Sequence, residues 1–318
     1  MHPQQPAADE VFAAAARIAG QATVTPVLQS RTLDALAGCQ LFLKAEHLQR
    51  SGAFKFRGSC NAVAALSAHD AARGVVTHSS GNHGAALALA ARARGIPCHV
   101  VVPQGAVGTK LTNIGRHGAT IWRCEPTQAA REATCAEVAD RTGAQVVHPY
   151  ENRQVIAGQG TAALELLAQT GGLDTLVVPV GGGGLAAGSA LALAASGSGC
   201  RLLLAEPAGA GDTAQALAQG RLPAEFKPDT VCDGLRARLG SPNLELLRAA
   251  GAEVVLMDDP ATLAAMQLAW QVLKQTIEPS SAIALAAVLA HAPALSGQRV
   301  GVILTGSNVD LEALPWHA

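Results

Sequence analysis

Thr175-Leu-Val-Val-Pro-Val-Gly-Gly-Gly-Gly-Leu-Ala-Ala-Gly188 decides the fold. It begins as an apolar run of strand length and ends alanine-rich and helical, with four glycines between. A strand that turns through glycine into a helix is the unit of a parallel sheet with crossover helices. Four glycines let the backbone aim its amides at one point with no side chain in the way. The helix start adds its own free N–H groups, and together these make a phosphate cradle. No lysine follows where a P-loop requires one, and the dinucleotide spacing with a downstream acid is absent, so the cradle suits a single phosphate group. A flexible glycine linker is the alternative, and it fits poorly between such tight strand and helix patterns. The stretch 175–197 is uncharged and long enough to cross a bilayer. Its glycines and Pro179 break it into strand, loop and helix instead.

Outward from that segment the same alternation continues. Arg73–His78, Ile96–Val102, Ala119–Trp122 and Ala144–Val147 read as buried strands, separated by helices over Gly84–Arg94, Thr109–His117 and Gln128–Thr142. Further strands are expected at Thr175–Val180, Arg201–Ala205, Glu253–Leu256 and Gln298–Leu304. An α/β chain of 318 residues with this pattern suits two parallel-sheet lobes sharing a cleft. The expected division is a small domain of residues 75–145 and a large one of 1–74 with 146–318. The net charge is −1, from 23 basic and 24 acidic residues with no basic stripe, so neither nucleic acid nor another polyanion is expected as a partner. Seven cysteines without a Cys-x-x-Cys pair read as reduced thiols of a cytoplasmic protein. The start, MHPQQPAADE, lacks a secretory signal.

Three more segments carry chemistry. In Ser51-Gly-Ala-Phe-Lys-Phe-Arg-Gly58, Lys55 lies in apolar, glycine-flanked sequence that opens a helix running through Asn61–Leu66. Such surroundings disfavour the ammonium and leave an amine able to attack an aldehyde. The alternative is a surface lysine passing Phe54 and Phe56. His78-Ser-Ser-Gly-Asn-His-Gly84 lies between a strand and a helix, offering hydroxyl, amide and imidazole groups beside helix N–H donors. That combination suits a carboxylate, whereas an N-cap would explain only one serine. Val302-Ile-Leu-Thr-Gly-Ser-Asn-Val-Asp310 ends a strand in a polar turn, placing the Thr305 hydroxyl where ligands of open α/β sheets bind. A plain turn reads equally well there.

Together and in this order, FKFRG, SSGNHG, GGGGL and TGSNVD resemble the fold-type II pyridoxal-phosphate enzymes. The likeness is to the serine/threonine dehydratase and serine racemase family, and it runs from about Ala14 to Leu311. The resemblance implies a tryptophan synthase β-like fold with pyridoxal 5'-phosphate in the cleft and a small amino acid as substrate. It further implies a homodimer and no membrane association. By the same resemblance Lys55 is the Schiff-base lysine, Asn82 bonds the cofactor's phenolic oxygen, and Gly181, Gly182, Gly183 and Gly184 hold its phosphate. Thr305 meets the pyridine nitrogen, Phe54 packs against the ring and Gly234 faces it. Ser79, Ser80, Asn82 and His83 hold the substrate carboxylate.

Glu206-Pro-Ala-Gly-Ala-Gly-Asp212 resembles the metal loop of the racemase branch, with Glu206, the Ala210 carbonyl and Asp212 around Mg²⁺ or Ca²⁺. These are hard oxygen ligands suited to either ion; a solvated loop with two acids is the other reading. The expected activity is that of an ammonia-lyase turning a β-hydroxy amino acid into a 2-oxo acid and ammonia. The alternative is a racemase using Lys55 and Ser80 on opposite faces of Cα. Arg236 and Arg238 are candidate partners of a second substrate carboxylate, set against their facing solvent or pairing locally.

Overall fold

The computed structural model describes residues 5–79, 81–105 and 108–310, with side chains not described at 108–110. Ten strands occur among them: β1 Val27–Leu28, β2 Gln40–Lys44, β3 Val75–Thr77, β4 Cys98–Pro103, β5 Thr120–Cys124, β6 Gln145–Val146, β7 Thr175–Pro179, β8 Arg201–Pro207, β9 Glu253–Met257 and β10 Arg299–Ile303. They form two sheets. The larger has the order β1-β2-β10-β7-β8-β9 and the smaller the order β5-β4-β3-β6. Every pairing is parallel except β1 with β2. This is the α/β architecture expected, with strand ends shifted by a few residues. The strands β1 and β2 were not foreseen. The short run QLFLK carries at its end a lysine that the fold buries completely.

Val, Leu and Ile runs form the central strands because both sheet faces are covered by helices. All five residues of β7 are buried, and so are the last four of β10. The C-terminal edge of the large sheet gathers the segments singled out above. There β10 leads into Thr305, β7 into the glycine loop, and β8 ends around Glu206. No helix among the described residues is long and apolar enough to cross a membrane.

One helix, Arg153–Thr170, sets the spacing between two of these segments. Against one side packs the lysine helix, Lys55–Ala64; against the other packs the helix that leaves the glycine loop, Gly184–Ala195. Both approaches are close enough to forbid side chains. A Cβ at Gly158 would lie 2.7 Å from Gly58 Cα, and one at Gly160 would lie 2.4 Å from the Gly188 carbonyl oxygen. The same helix contributes Glu165 to a buried ion cluster. Arg57, fully buried, bonds Glu46 at 2.7 and 2.8 Å and Glu165 at 2.8 and 2.7 Å, and Lys44 adds a 2.8 Å bond to Glu165. Removing one partner of such a set leaves a buried charge uncompensated.

Gly160→Ala tests the close approach. In an unconstrained helix alanine would stabilise by about 0.5–1 kcal/mol relative to glycine. Here overpacking against Gly188 reverses the sign, with an expected loss of about 1–3 kcal/mol in urea unfolding. A stabilised variant would show that the two helices are free to part.

Candidate active site

The FKFRG segment is laced to the turn after β10 by main-chain bonds. Phe54 N–H donates to the Thr305 carbonyl at 2.9 Å, Ser307 N–H to the Gly52 carbonyl at 3.0 Å, and Ala53 bridges Gly306. Lys55 therefore stands beside Thr305 at the first turn of its helix. Its Nζ donates to the Pro149 carbonyl at 3.2 Å and lies 5.0 Å from the centre of the Phe54 ring. Burial of the ammonium lowers the Lys55 pKa to about 8, a shift that nearby Glu278 opposes.

Glu278 is a residue of the site that sequence reasoning missed. It precedes the helix Pro279–Ala290 and is 5% exposed, beneath the cleft. Its carboxylate accepts from Asn82 Nδ2 at 2.8 Å and from Asn308 N–H at 3.2 Å. Asn308 Nδ2 in turn donates to Asn82 Oδ1 at 2.9 Å, closing a ring of three residues. The ring fixes which way the Asn82 amide points, since a carboxylate can only accept. Its one local signal is the Glu-Pro pair opening a helix, which reads as ordinary punctuation.

The strand β3 and its following turn, which includes Ser79, bring Asn82 and His83 to the same cleft. Asn82 is the first residue of the helix Asn82–Arg94. His83 departs from expectation. Its ring turns inward, with Nδ1 at 3.4 Å from Ser59 Oγ and Nε2 at 3.2 Å from the Val147 carbonyl. Burial first, then the positive charge of Lys55, hold its pKa well below the usual imidazole range. A neutral, engaged imidazole leaves the main-chain N–H as what His83 can offer a carboxylate. Ser80 lies outside the described residues. Lining the same space, His148 meets His78 and Tyr150 edge-on at ring-centre distances of 5.1 and 4.6 Å, and its pKa falls to about 3 through burial and neighbouring positive charge.

The glycine loop follows β7 as expected, with all four glycines buried. Gly183 has φ +87°, the left-handed region that favours glycine. The first intrahelical bond runs from Ala187 N–H to the Gly183 carbonyl, so the amides of Gly184, Leu185 and Ala186 precede it and have no intrahelical acceptor. Such a set of donors fits a phosphate. Thr305, 3% exposed, directs Oγ1 to the Ser280 carbonyl at 3.5 Å, and Ser280 Oγ accepts from Gly234 N–H at 2.9 Å. A Cβ at Gly234 would come within 3.0 Å of Ser280 Oγ. Thus Lys55, Phe54, Asn82, Gly234 and Thr305 adjoin one cleft.

Glu206 and Asp212 lie apart from it; Asp212 lines, with residues 208–211, a cavity of about 170 Å³, and Glu206 is completely buried at the end of β8. Glu206 accepts from the N–H groups of Thr213 and Ala214 at 2.7 and 2.9 Å, and burial raises its pKa to about 7. Asp212 Oδ2 accepts from Leu239 N–H at 2.7 Å, while its Oδ1 is buried with no partner among the described residues. An orphaned carboxylate oxygen beside a second buried carboxylate fits a cation, with the Ala210 carbonyl adjacent in the loop. No cluster of three or more His, Cys, Asp or Glu side chains suited to a metal occurs among the described residues, so water would complete the shell. The two loop arginines are engaged locally: Arg236 donates to the Thr230 carbonyl and Arg238 to that of Pro223. This geometry matches local pairing instead of a second-carboxylate site.

The pyridoxal-phosphate dependent enzyme family is matched over residues 18–306. A beta-hydroxyaspartate dehydratase of Paracoccus denitrificans is 44% identical over 312 residues, 98% of this chain and 99% of that one. A serine racemase of Arabidopsis thaliana is 45% identical over 295 residues, 91% of this chain and 89% of that one. The solved structure of maize serine racemase superposes with a TM-score of 0.94 at 42% identity, over 98% of this chain and 96% of that one.

Glu278→Gln isolates the charge acting on Lys55. Burial disfavours the ammonium and the Glu278 carboxylate partly restores it, so removing that charge drives the lysine pKa further down. Acylation of Lys55 in cofactor-free protein should show a midpoint near pH 8, moving to lower pH in the variant. An unmoved midpoint, or one moved upward, would remove Glu278 from the electrostatics of the site.

Proposed function

Because the chain belongs to the pyridoxal-phosphate dependent enzyme family, we propose that it is an ammonia-lyase that converts a β-hydroxy amino acid into a 2-oxo acid and ammonia. The observation that carries this reading is the pairing in one cleft of an amine with lowered pKa, Lys55, and a neutral hydroxyl, Thr305. Lys55 Nζ is the amine that would hold the cofactor through its aldehyde, and as a free amine it would take the substrate's α-proton as general base. When bound, the cofactor supplies the sink for negative charge at Cα. With the cofactor bound, the Thr305 hydroxyl, whose bond to the Ser280 carbonyl is long at 3.5 Å, would turn its one proton to the pyridine nitrogen, and a neutral donor would not enforce protonation there as a carboxylate would. That arrangement would leave the sink moderate, so that loss of a β-hydroxyl would compete well with other outcomes.

The remaining assignments follow the same cleft. Gly181, Gly182, Gly183 and Gly184 would hold the phosphate, Phe54 and Gly234 would flank the ring, and the Asn82 amide, oriented by Glu278 and Asn308, would donate to the phenolic oxygen. Ser79, Ser80, Asn82 and the main chain at His83 receive the substrate carboxylate. The second reading, a racemase, is favoured by the likeness to the serine racemases and requires a proton donor on the face of Cα opposite Lys55, the role that the sequence resemblance gives to Ser80. Residues 75–145 are proposed as the small domain, the remainder as the large one, and the enzyme as a cytoplasmic homodimer.

Borohydride reduction should leave a pyridoxyl group on Lys55, and Lys55→Ala should lose about 10²-fold or more in turnover. Incubated with L-serine, L-threonine or 3-hydroxyaspartate, the protein should release ammonia and oxo acid together. A pyridoxyl label on another lysine would sink the mechanism. Accumulation of the opposite enantiomer without ammonia would transfer the assignment to the racemase.

Glu206, the Ala210 carbonyl and Asp212 are proposed to hold Mg²⁺ or Ca²⁺. Chelation should lower the melting temperature and either ion restore it. The gain is about 2.7 kcal/mol when the free ion is a hundredfold above its dissociation constant. Asp212→Asn should abolish the response; a chelator without effect on the parent protein would refute the site.

A further inference from the structure

Asn243 has no part in the roles assigned above. It is the third residue of the helix Ser241–Ala249, follows Pro242, and is completely buried. Its Nδ2 donates to the main-chain oxygens of Gly182 at 2.6 Å and Tyr150 at 2.9 Å. Two carbonyl acceptors fix the orientation of the amide, because a half-turn would set Oδ1 against both. Oδ1 itself is buried with no partner among the described residues. Leaving an acceptor in that state costs about 1–3 kcal/mol. An apolar side chain would avoid the cost, so the position is occupied for its donors.

The consequence falls on the glycine loop. Gly182's carbonyl also accepts from Gly240 N–H at 3.1 Å, which gives it two donors on one side. In a trans peptide the carbonyl of one residue and the N–H of the next point in opposite directions. Holding the Gly182 carbonyl toward Asn243 therefore turns the Gly183 N–H to the other side of the loop. The loop is packed closely against Asn243 and Tyr150, with no space for a side chain. A Cβ at Gly183 would lie 2.9 Å from Asn243 Cβ, and one at Gly182 would lie 2.4 Å from Tyr150 Cγ. Because the same Nδ2 also binds the Tyr150 carbonyl, loop and tyrosine are pinned by a single side chain.

We propose that Asn243 is a positioning residue for phosphate recognition, locking the Gly182–Gly183 peptide plane so that the loop amides converge on an anion. The inference rests on the assignment of residues 181–184 as the phosphate loop. Asn243 does not touch the phosphate; it acts through the peptide it holds.

The probes are pyridoxal 5'-phosphate and pyridoxal, which lacks the phosphate, each titrated by the absorbance change on bonding to Lys55. Asn243→Asp keeps the shape and replaces both donors with acceptors; Asn243→Leu keeps the volume and removes them. In either variant the dissociation constant for pyridoxal 5'-phosphate should rise about tenfold, equivalent to about 1.4 kcal/mol. That for pyridoxal should stay within about twofold, a change worth under 1 kcal/mol. If both ligands weaken alike, Asn243 merely supports the fold around the site and the proposal is overturned. Unchanged affinity for pyridoxal 5'-phosphate overturns it as well. Equal affinity of the parent protein for the two probes would instead overturn the loop assignment, and this inference with it.

Discussion

The backbone contacts of the helix Arg153–Thr170 are the constraint on which the site depends. Gly158 admits Gly58 of the lysine helix on one side, and Gly160 admits Gly188 of the glycine-loop helix on the other. The separation between the amine of Lys55 and the glycine loop is thus set by main-chain packing, not by flexible side chains. Packed interiors resist deformation, so close backbone approaches on both sides hold this distance. Chemistry on a small ligand needs such rigidity, because an amine displaced by about 1 Å loses much of its reactivity.

Charge is distributed around this frame in two tiers. Below the lysine helix, Arg57 is clasped by Glu46 and Glu165, with Lys44 completing the cluster at Glu165. Nearly all of this charge is matched, so it anchors the helix without presenting a net field to the cleft. Above it, Glu278 faces Lys55 and raises the pKa that burial lowers. The amine is consequently left near pH 8, where neutral and protonated forms both exist at physiological pH. Full burial without the carboxylate would favour the neutral form further, and a closer ion pair would hold the proton too firmly for a general base.

Much of this was legible in the sequence because it is written in local pattern. The strands β3 to β10, the glycine loop, the helix opened by Lys55 and the turn at Thr305 announce themselves through apolar runs, glycine and helix starts. The strand β2 did not, since Lys44 closes it and its burial depends on Glu165, 121 residues away. Glu278 and Asn243 were missed for a related reason. Each makes its decisive bonds to residues distant in sequence, Asn82 and Gly182, so no neighbouring signal marks them. His83 was legible as a polar residue at a helix start, but its ring direction follows from Ser59 and Val147, which only the fold brings near.

The ring of Glu278, Asn82 and Asn308 links these observations to movement. Asn82 begins a helix that packs on the smaller sheet, whereas Glu278 and Asn308 belong to elements of the larger one. Any displacement of the smaller sheet relative to the larger must either break these bonds or pivot about them. One bond is charge-assisted, which makes it stronger than a neutral pair, and breaking it would leave a carboxylate at 5% exposure short of a donor. Pivoting is therefore the less costly course. A pivot at Asn82 keeps its amide in the ring with Glu278 and Asn308, so the two sheets stay tied at that point.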